Sequence, residues 1–320
     1  MTLGRLLTLA TVLASVLLLA GSAGAAVWQV PGQFPTIQAA IDSSTVHDGD
    51  VIDVASGRRR GATVTKAVTI RGVGAPTIVG GPFVNALGSG GFLFPGGGQG
   101  SGATITRLSF VGVAFPVFSR GADYVSVTDN KMWGPVQGVT NWANGTWGQG
   151  WDISRNAING LRTSCGGGFG ILIGDYAGGT VSNNLIAENT VQGAVRVRPD
   201  DCGGYNAPGV VLFADSRFPG DLGATIENNR VMKNRIYVTS SEPVLVTVSG
   251  VELTDTRDLP SQIVVTANAV VYNDLRGMDV PVSLTPDELE PANLIMGNIT
   301  GPPPDARRAR RPLAAAAPVR

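Results

Sequence analysis

The chain has 320 residues, a formal net charge of zero at neutral pH, 43% hydrophobic and only 15% charged residues, with 44 glycines and 20 prolines. The apolar content excludes a disordered chain, and the abundance of turn residues favours many short strands over long helices. Without Arg5 and the residues from Asp305 onward, 18 basic residues stand against 23 acidic ones, so the body gives no support to nucleic-acid binding.

The N-terminus has the features of a cleaved secretory signal, residues 1–25. Arg5 precedes an apolar run over residues 6–20, and Ala23, Gly24 and Ala25 supply small residues before a cleavage point. The alternative is a membrane anchor, but the run is short for a bilayer span. We therefore expect a secreted, periplasmic or cell-envelope protein without stable membrane insertion after cleavage.

A twelve-residue pattern recurs along the chain and predicts its architecture. Residues 180–191 read TVSNNLIAENTV, residues 225–236 read TIENNRVMKNRI, and residues 264–275 read VVTANAVVYNDL, with looser copies at 125–132, 151–158 and 294–300. Short strands that alternate with turn asparagines at this period are typical of a solenoid. The pattern predicts an all-β, single-stranded parallel β-helix over residues 26–300, expected to be monomeric.

The recurring asparagines invite a structural and a functional interpretation. Asn tolerates left-handed backbone and can hydrogen-bond to an Asn of the next turn. A role in ligand binding would require exposure, which their position between apolar residues argues against. We predict one buried ladder that contains Asn156, Asn184, Asn229 and Asn268.

The start of the mature chain predicts a helix that covers the open end of the solenoid. Pro35 or Thr36 can begin it, and Ile37, Ala40 and Ile41 form its apolar face. Next, residues 48–54 read DGDVIDV and residues 68–72 read VTIRG.

Together with residues 34–41 (FPTIQAAI), these segments resemble the first turns of the pectin-lyase-like superfamily, whose members are right-handed parallel β-helices. The sequence departs from that pattern at residues 57–60 (GRRR), where an aromatic residue commonly follows the Gly. The resemblance implies the fold and a polysaccharide-directed activity, with lyase action as the leading enzymatic hypothesis.

Two further segments carry structural expectations. The Gly-rich stretch of residues 80–102 is predicted as a loop, and residues 104–111 as strand with Ile105, Leu108 and Phe110 in the core. Three prolines at 302–304 should end the solenoid, since proline cannot donate ladder hydrogen bonds. The Arg- and Ala-rich residues 301–320 are predicted to be a disordered tail.

Four of the five tryptophans fall close together in sequence: Trp133, Trp142, Trp147 and Trp151. Indole faces stack on the apolar faces of sugars, so Trp133, Trp142 and Trp147 are predicted to bind substrate. The alternative is that the rings fill the core, which we expect of Trp151.

Two cysteines, Cys165 and Cys202, lie in Gly-rich segments of an exported chain, where a disulfide can persist. Two free thiols are the alternative. Neither cysteine has a histidine nearby, so we do not predict that the pair binds a metal.

Charged residues near the cysteines are the catalytic candidates. The superfamily resemblance implies that acidic residues hold Ca²⁺ while an Arg or Lys acts as base, and the metal ligands themselves stay unassigned. We predict catalytic residues Arg196, Arg198, Asp200 and Asp201, with Arg162, Asp215 and Arg217 binding substrate. No lyase-type calcium motif is present, and a surface salt-bridge network explains the same residues.

Other catalytic schemes find little support. Asp200 and Asp201 would suit a hydrolase, but the Gly-His-Gly motif of polygalacturonase-like members is absent. The single histidine, His47, follows the capping helix, so a Ser-His-Asp triad or a His-based metal site is not expected. The sequence therefore predicts a protein that binds, and as an enzyme cleaves, a polysaccharide; the alternative is a non-catalytic surface scaffold.

Overall fold

The computed structural model describes residues 24–85, 88–163, 168–197, 205–216, 220–242, 246–256, 262–285 and 287–303. Within them, every strand pairing is parallel except that of β5 (Phe83–Asn85) with β6 (Gly88–Phe94). Each turn of the chain adds one strand to each of three sides, and the strands of successive turns pair with one another. This arrangement is the parallel β-helix that the repeat predicts. Crossover connections between parallel strands are right-handed, in agreement with the right-handed β-helix expected from the sequence.

The chain opens with β1 (Val27–Val30), α1 (Ile37–Asp42), β2 (Val51–Arg59), β3 (Ala62–Thr63), β4 (Thr69–Ile78), β5 (Phe83–Asn85) and β6 (Gly88–Phe94). The first side consists of β7 (Thr104–Thr106), β10 (Ser126–Thr128), β13 (Asp152–Ser154), β17 (Leu185–Ala187), β21 (Arg230–Met232), β25 (Ala269–Val271) and β27 (Leu294–Met296). The second side consists of β8 (Ser109–Val111), β11 (Lys131–Trp133), β14 (Ala157–Arg162), β18 (Thr190–Arg196) and β22 (Arg235–Ser240).

The third side contains β3 and β6, then β9 (Phe115–Arg120), β12 (Gln137–Trp142), β15 (Phe169–Asp175), β19 (Tyr205–Asp215), β23 (Val246–Thr256) and β26 (Val280–Thr285). A fourth, shorter sheet of β16 (Ala177–Ser182), β20 (Gly223–Glu227) and β24 (Gln262–Thr266) precedes the first side in the later turns. A 3₁₀ helix, Asp287–Ala292, lies before the last strand.

Aliphatic side chains stack inside the solenoid from one end to the other. On the first side, the strand register aligns the inward residues Ile52, Ile70, Ile105, Val127, Ile153, Ile186, Val231, Val270 and Ile295. All but the last are completely buried. β-branched side chains suit this stacking on a pleated surface, so the row forms one wall of the core. Ile105, Leu108 and Phe110 are buried as predicted.

Helix α1 caps the N-terminal end, as the sequence predicts. Thr36 is its N-cap, and its side-chain oxygen accepts a 3.0 Å hydrogen bond from the Ala39 N–H. Ile37, Ala40 and Ile41 are fully buried within the core of the solenoid. The helix therefore closes an end that would otherwise expose the apolar interior.

The asparagines are buried and hydrogen-bond from turn to turn as predicted, but they form two rows, so the assignment of Asn156 to the row of Asn184 is wrong. Asn156 bonds to Asn189, its Nδ2 donating to Oδ1 over 3.0 Å, whereas Asn184 bonds to Asn229 at the next corner. One row is Asn184, Asn229, Asn268 and Asn293; the other is Asn130, Asn156, Asn189, Asn234, Asn273 and Asn298. The repeat contains two asparagines five residues apart, and the turn of Asn156 has Trp151 in place of the first. Asn156 and Asn184 therefore lie at different corners of the solenoid.

The Gly-rich segment of residues 80–102 contains strands, so its prediction as a loop is wrong. Phe92 and Phe94 of β6 are fully buried, and β6 pairs with β9. Glycine is needed because the strands approach closely: a Cβ on Gly91 would lie 2.5 Å from the Pro116 carbonyl oxygen. The next turn has Pro116 at this position, and the four turns after it on the third side have glycine again, at Gly138, Gly170, Gly209 and Gly250.

The predicted signal and tail lie largely outside the described residues, which begin at Gly24 and end at Pro303. Within the described ranges, no helix is long and apolar enough to cross a membrane.

Candidate functional site

A continuous polar and aromatic row runs along the outer face of the second side. The register of β8, β11, β14, β18 and β22 aligns Val111, Trp133, Asn159, Gln192 and Tyr237. Trp133 is 37% exposed and Tyr237 is 36% exposed. Between them, Gln192 Nε2 donates a 2.9 Å hydrogen bond to Asn159 Oδ1. The two aromatic rings therefore flank a pair of amides on one face.

Beside this row lies an open groove of about 500 Å³. Its lining includes the side chains of Trp133, Asn159, Arg162 and Arg196. Its glycines have positive φ angles between 59° and 102°: Gly112, Gly134, Gly160 and Gly193. This backbone is unfavourable for other residues, and the missing side chains leave room for a ligand.

The two arginines occupy paired positions on neighbouring turns. Arg162 in β14 aligns with Arg196 in β18, one strand spacing away. The Nε of Arg162 donates to the Gly134 carbonyl oxygen, which holds this side chain over the groove. Among the described residues, neither guanidinium pairs with a carboxylate. Two adjacent cations without a carboxylate partner among those residues favour an anionic ligand.

The opposite flank of the row is also basic. Lys131 and Arg235 are exposed at the outward positions that precede Trp133 and Tyr237 by two residues. Asp274 lies beside Arg235, but it pairs with Arg276 over 2.6 Å. The Arg276 guanidinium holds the pKa of Asp274 below its ordinary value, so this carboxylate stays charged and paired with Arg276.

The adjacent corner of the solenoid carries charges of both signs. Arg107, Asp129, Arg155, Glu188 and Lys233 follow one another on successive turns, all in left-handed backbone. Arg155 Nε lies 3.0 Å from Asp129 Oδ1, and this contact raises the pKa of Arg155. At this corner, acidic side chains on neighbouring turns therefore offset part of the basic charge.

The structure brings together three of the predicted site residues: Trp133, Arg162 and Arg196. It does not bring Trp133, Trp142 and Trp147 together, so these three residues do not form one binding surface. Trp142 lies on the third side, where its ring packs edge-on against Tyr176 and Phe213. Trp147 is exposed beside the fourth sheet. Tryptophans close in sequence lie apart because the chain turns a corner between them.

Other predicted residues lie away from the groove or outside the described residues. Trp151 is buried as expected, and its Nε1 donates 2.8 Å to the Ala122 carbonyl oxygen. Asp215 is buried at the end of β19 on the third side and accepts a 2.9 Å hydrogen bond from Thr256 Oγ1. The remaining candidates lie outside the described residues: Arg198, Asp200, Asp201, Arg217, Cys165 and Cys202.

The structure adds five residues that sequence reasoning missed: Lys131, Asn159, Gln192, Arg235 and Tyr237. A signal for them was present in the repeat. In the asparagine row that begins at Asn130, the third residue after each asparagine faces outward on the second side. On successive turns these outward residues are Trp133, Asn159, Gln192 and Tyr237. Alignment on the wrong asparagine of the repeat hid this row.

The described residues supply little for a metal ion. They contain no group of three or more His, Cys, Asp or Glu side chains that could hold one. The calcium site implied by the family resemblance would depend on acidic residues such as Asp200 and Asp201, outside the described ranges. His47 is exposed in the turn after α1, and its backbone N–H donates to Asp50.

The fold places this chain in the class of parallel β-helix proteins. No protein-family model matches it, and no curated protein matches it. Two solved structures are similar, both described as the catalytic domain of a GH87 alpha-1,3-glucanase in complex with tetrasaccharides. Their identities are 12% and 13%; each match covers 87% of this chain and 70% of the other, at a TM-score of 0.30. A likeness at this TM-score carries no inference about activity, so the function rests on the chain's own residues.

Proposed function

We propose that this chain is an exported protein that binds an acidic polysaccharide in the groove of the second side. The observation that carries the proposal is the exposed Trp133 indole beside Arg162 and Arg196 on adjacent turns. An indole face stacks on the apolar face of a sugar ring. Guanidinium groups form paired hydrogen bonds with carboxylate or sulfate groups. A charged sugar polymer offers both features in each residue.

The proposal is tested by binding of size-defined acidic and neutral oligosaccharides, measured by calorimetry. Trp133→Ala should weaken binding of the acidic glycan about tenfold or more, equivalent to about 1.4 kcal/mol. Trp147→Ala is the matched control, because Trp147 is 54% exposed but lies outside the groove. Equal effects of the two substitutions, or stronger binding of the neutral glycan, would contradict the proposal.

The enzymatic form of the proposal is β-elimination, with Arg196 as base. In this reaction Arg196, in its neutral guanidine form, takes the proton from the carbon beside the uronate carboxyl group, a C=C bond forms, and the glycosidic C–O bond breaks. The departing oxygen takes up a proton from water. Arg162 would pair with the uronate carboxylate and so acidify the neighbouring C–H. The support is that Arg196 is exposed in the groove, one turn from Arg162.

Cleavage is tested by the ultraviolet absorbance of unsaturated product, with a panel of uronate polymers and with or without Ca²⁺. We expect product from the wild type and at least about a hundredfold less from Arg196→Gln. Binding without product from any polymer would contradict the lyase form and leave a non-catalytic surface or envelope protein. Export itself is tested by the N-terminus of the mature protein, which should begin at Ala26.

A further inference from the structure

We infer that the bound polymer lies lengthwise over four turns of the solenoid, with Tyr237 as a second aromatic platform and Lys131 and Arg235 along one flank. This inference rests on the proposed function, and it defines the minimum length and the direction of the ligand. It follows from residues beyond the groove itself, which ends short of Tyr237.

The spacing of the outward row sets the length of the site. Trp133, Asn159, Gln192 and Tyr237 align on β11, β14, β18 and β22, so three strand spacings separate the two rings. At ~4.8 Å per spacing, the rings lie about 14 to 15 Å apart along the solenoid axis. A disaccharide on Trp133 would not reach Tyr237, whereas a longer oligomer would cover both rings and the amides between them.

Tyr237 is held in a fixed position, as a platform requires. Its ring lies against Gly277, where a Cβ would approach to 2.6 Å from Tyr237 Cε2. Pro303 packs on the same glycine, since its Cβ would lie 3.0 Å from that added carbon. The tyrosine ring is still 36% exposed. A ring that packs against the next turn loses little conformational freedom when a sugar stacks on it.

The amides between the rings also match a ligand that follows the axis. Gln192 is exposed and Asn159 is half-buried, and their side chains hydrogen-bond to each other between neighbouring turns. This bond uses one Nε2 hydrogen of Gln192 and leaves the other, together with the Asn159 Nδ2 group, for sugar hydroxyls. The polar contacts therefore lie at the middle of the span.

Cations border the row on both sides along the same axis. Lys131 and Arg235 lie three strand spacings apart on one flank, while Arg162 and Arg196 lie one spacing apart on the other. A ligand that crossed the face would meet the residues of one turn and only part of this charge. A polyanion that lies along the solenoid axis contacts all four cations, so their arrangement favours this direction of binding.

The experiment measures affinity against length, with oligogalacturonates of two to eight residues as the probe. For the wild type, affinity should rise with length and level off once the oligomer covers both rings. Tyr237→Ala should weaken binding of the octamer about tenfold and leave binding of the dimer unchanged. Tyr124→Ala is the matched control, because Tyr124 is 60% exposed and also packs over a glycine of the next turn, at another corner.

The outcomes separate this inference from the function on which it rests. Failure of every oligomer to bind the wild type would overturn both. Binding with an affinity independent of length, or equal losses in Tyr237→Ala and Tyr124→Ala, would overturn the lengthwise site alone. A Lys131→Gln/Arg235→Gln variant gives a second measurement: it should reduce affinity for the octamer more than for the dimer.

Discussion

Replacing one interior asparagine of the longer row should destabilise the whole solenoid. Asn234 Oδ1 accepts from both Asn189 N–H and Asn189 Nδ2, and its own Nδ2 donates to Ile186 O and Asn273 Oδ1. In Asn234→Ala, Asn273 Oδ1 keeps its bond from the backbone N–H of residue 234, and Asn189 Nδ2 keeps its bond to Ile153 O. The Asn189 N–H loses its partner in a fully buried site, whereas Ile186 O keeps the ladder bond that the register of β17 with β21 gives it from the Met232 N–H.

A buried polar group left without a partner costs about 1 to 3 kcal/mol, so the Asn189 N–H predicts a loss of about 1 to 3 kcal/mol in the free energy of unfolding. Urea unfolding followed by circular dichroism measures this loss, with the slope m as a check that the same surface unfolds. Asn298→Ala is the control, because Asn298 is the half-buried last member of the row and water can replace its bonds. Equal losses in the two variants would refute the reasoning.

Three further substitutions test the packing. Trp151→Phe removes the indole donor to Ala122 O and should cost about 1 to 3 kcal/mol of unfolding free energy; an unchanged urea midpoint would contradict this. Gly170→Ala should destabilise by about 1 to 3 kcal/mol or more, because its Cβ would overlap a carbonyl oxygen of the next strand; a urea midpoint equal to that of the wild type would refute this. The pKa of Asp50 lies below its ordinary value, chiefly because backbone and indole N–H groups donate to it, so its stabilisation is present at neutral pH and is lost as the pH falls below about 4. Thermal midpoints against pH should therefore fall more steeply in the wild type than in Asp50→Asn, and parallel curves would show that this carboxylate contributes nothing.

The architecture was predictable because the solenoid repeats its physical requirements on every turn. An inward β-branched residue, a left-handed turn residue and a buried Asn recur together, as in residues 186–189 and 231–234. The capping helix was predictable from the apolar spacing of Ile37, Ala40 and Ile41. Composition misled at residues 80–102, where glycine reflects close strand packing at Gly91 and not an irregular loop.

The site was only partly predictable, because sequence distance and distance on a solenoid differ. Arg162 and Arg196 are 34 positions apart but align on neighbouring turns. Trp133 and Trp142 are nine positions apart but lie on different sides. The register between turns determines which outward residues share a face. This register follows from the sequence only when the two asparagine rows are distinguished from each other.

The central claim is that paired arginines on the second side bind an acidic polysaccharide. The most direct measurement compares Arg162→Gln/Arg196→Gln with Arg107→Gln/Arg230→Gln, which removes two exposed arginines from other positions and gives the same net charge. We predict at least a tenfold loss of affinity for oligogalacturonate, and a weaker dependence on salt, in the first variant only. Equal affinities and equal salt dependence in the two variants would contradict the account.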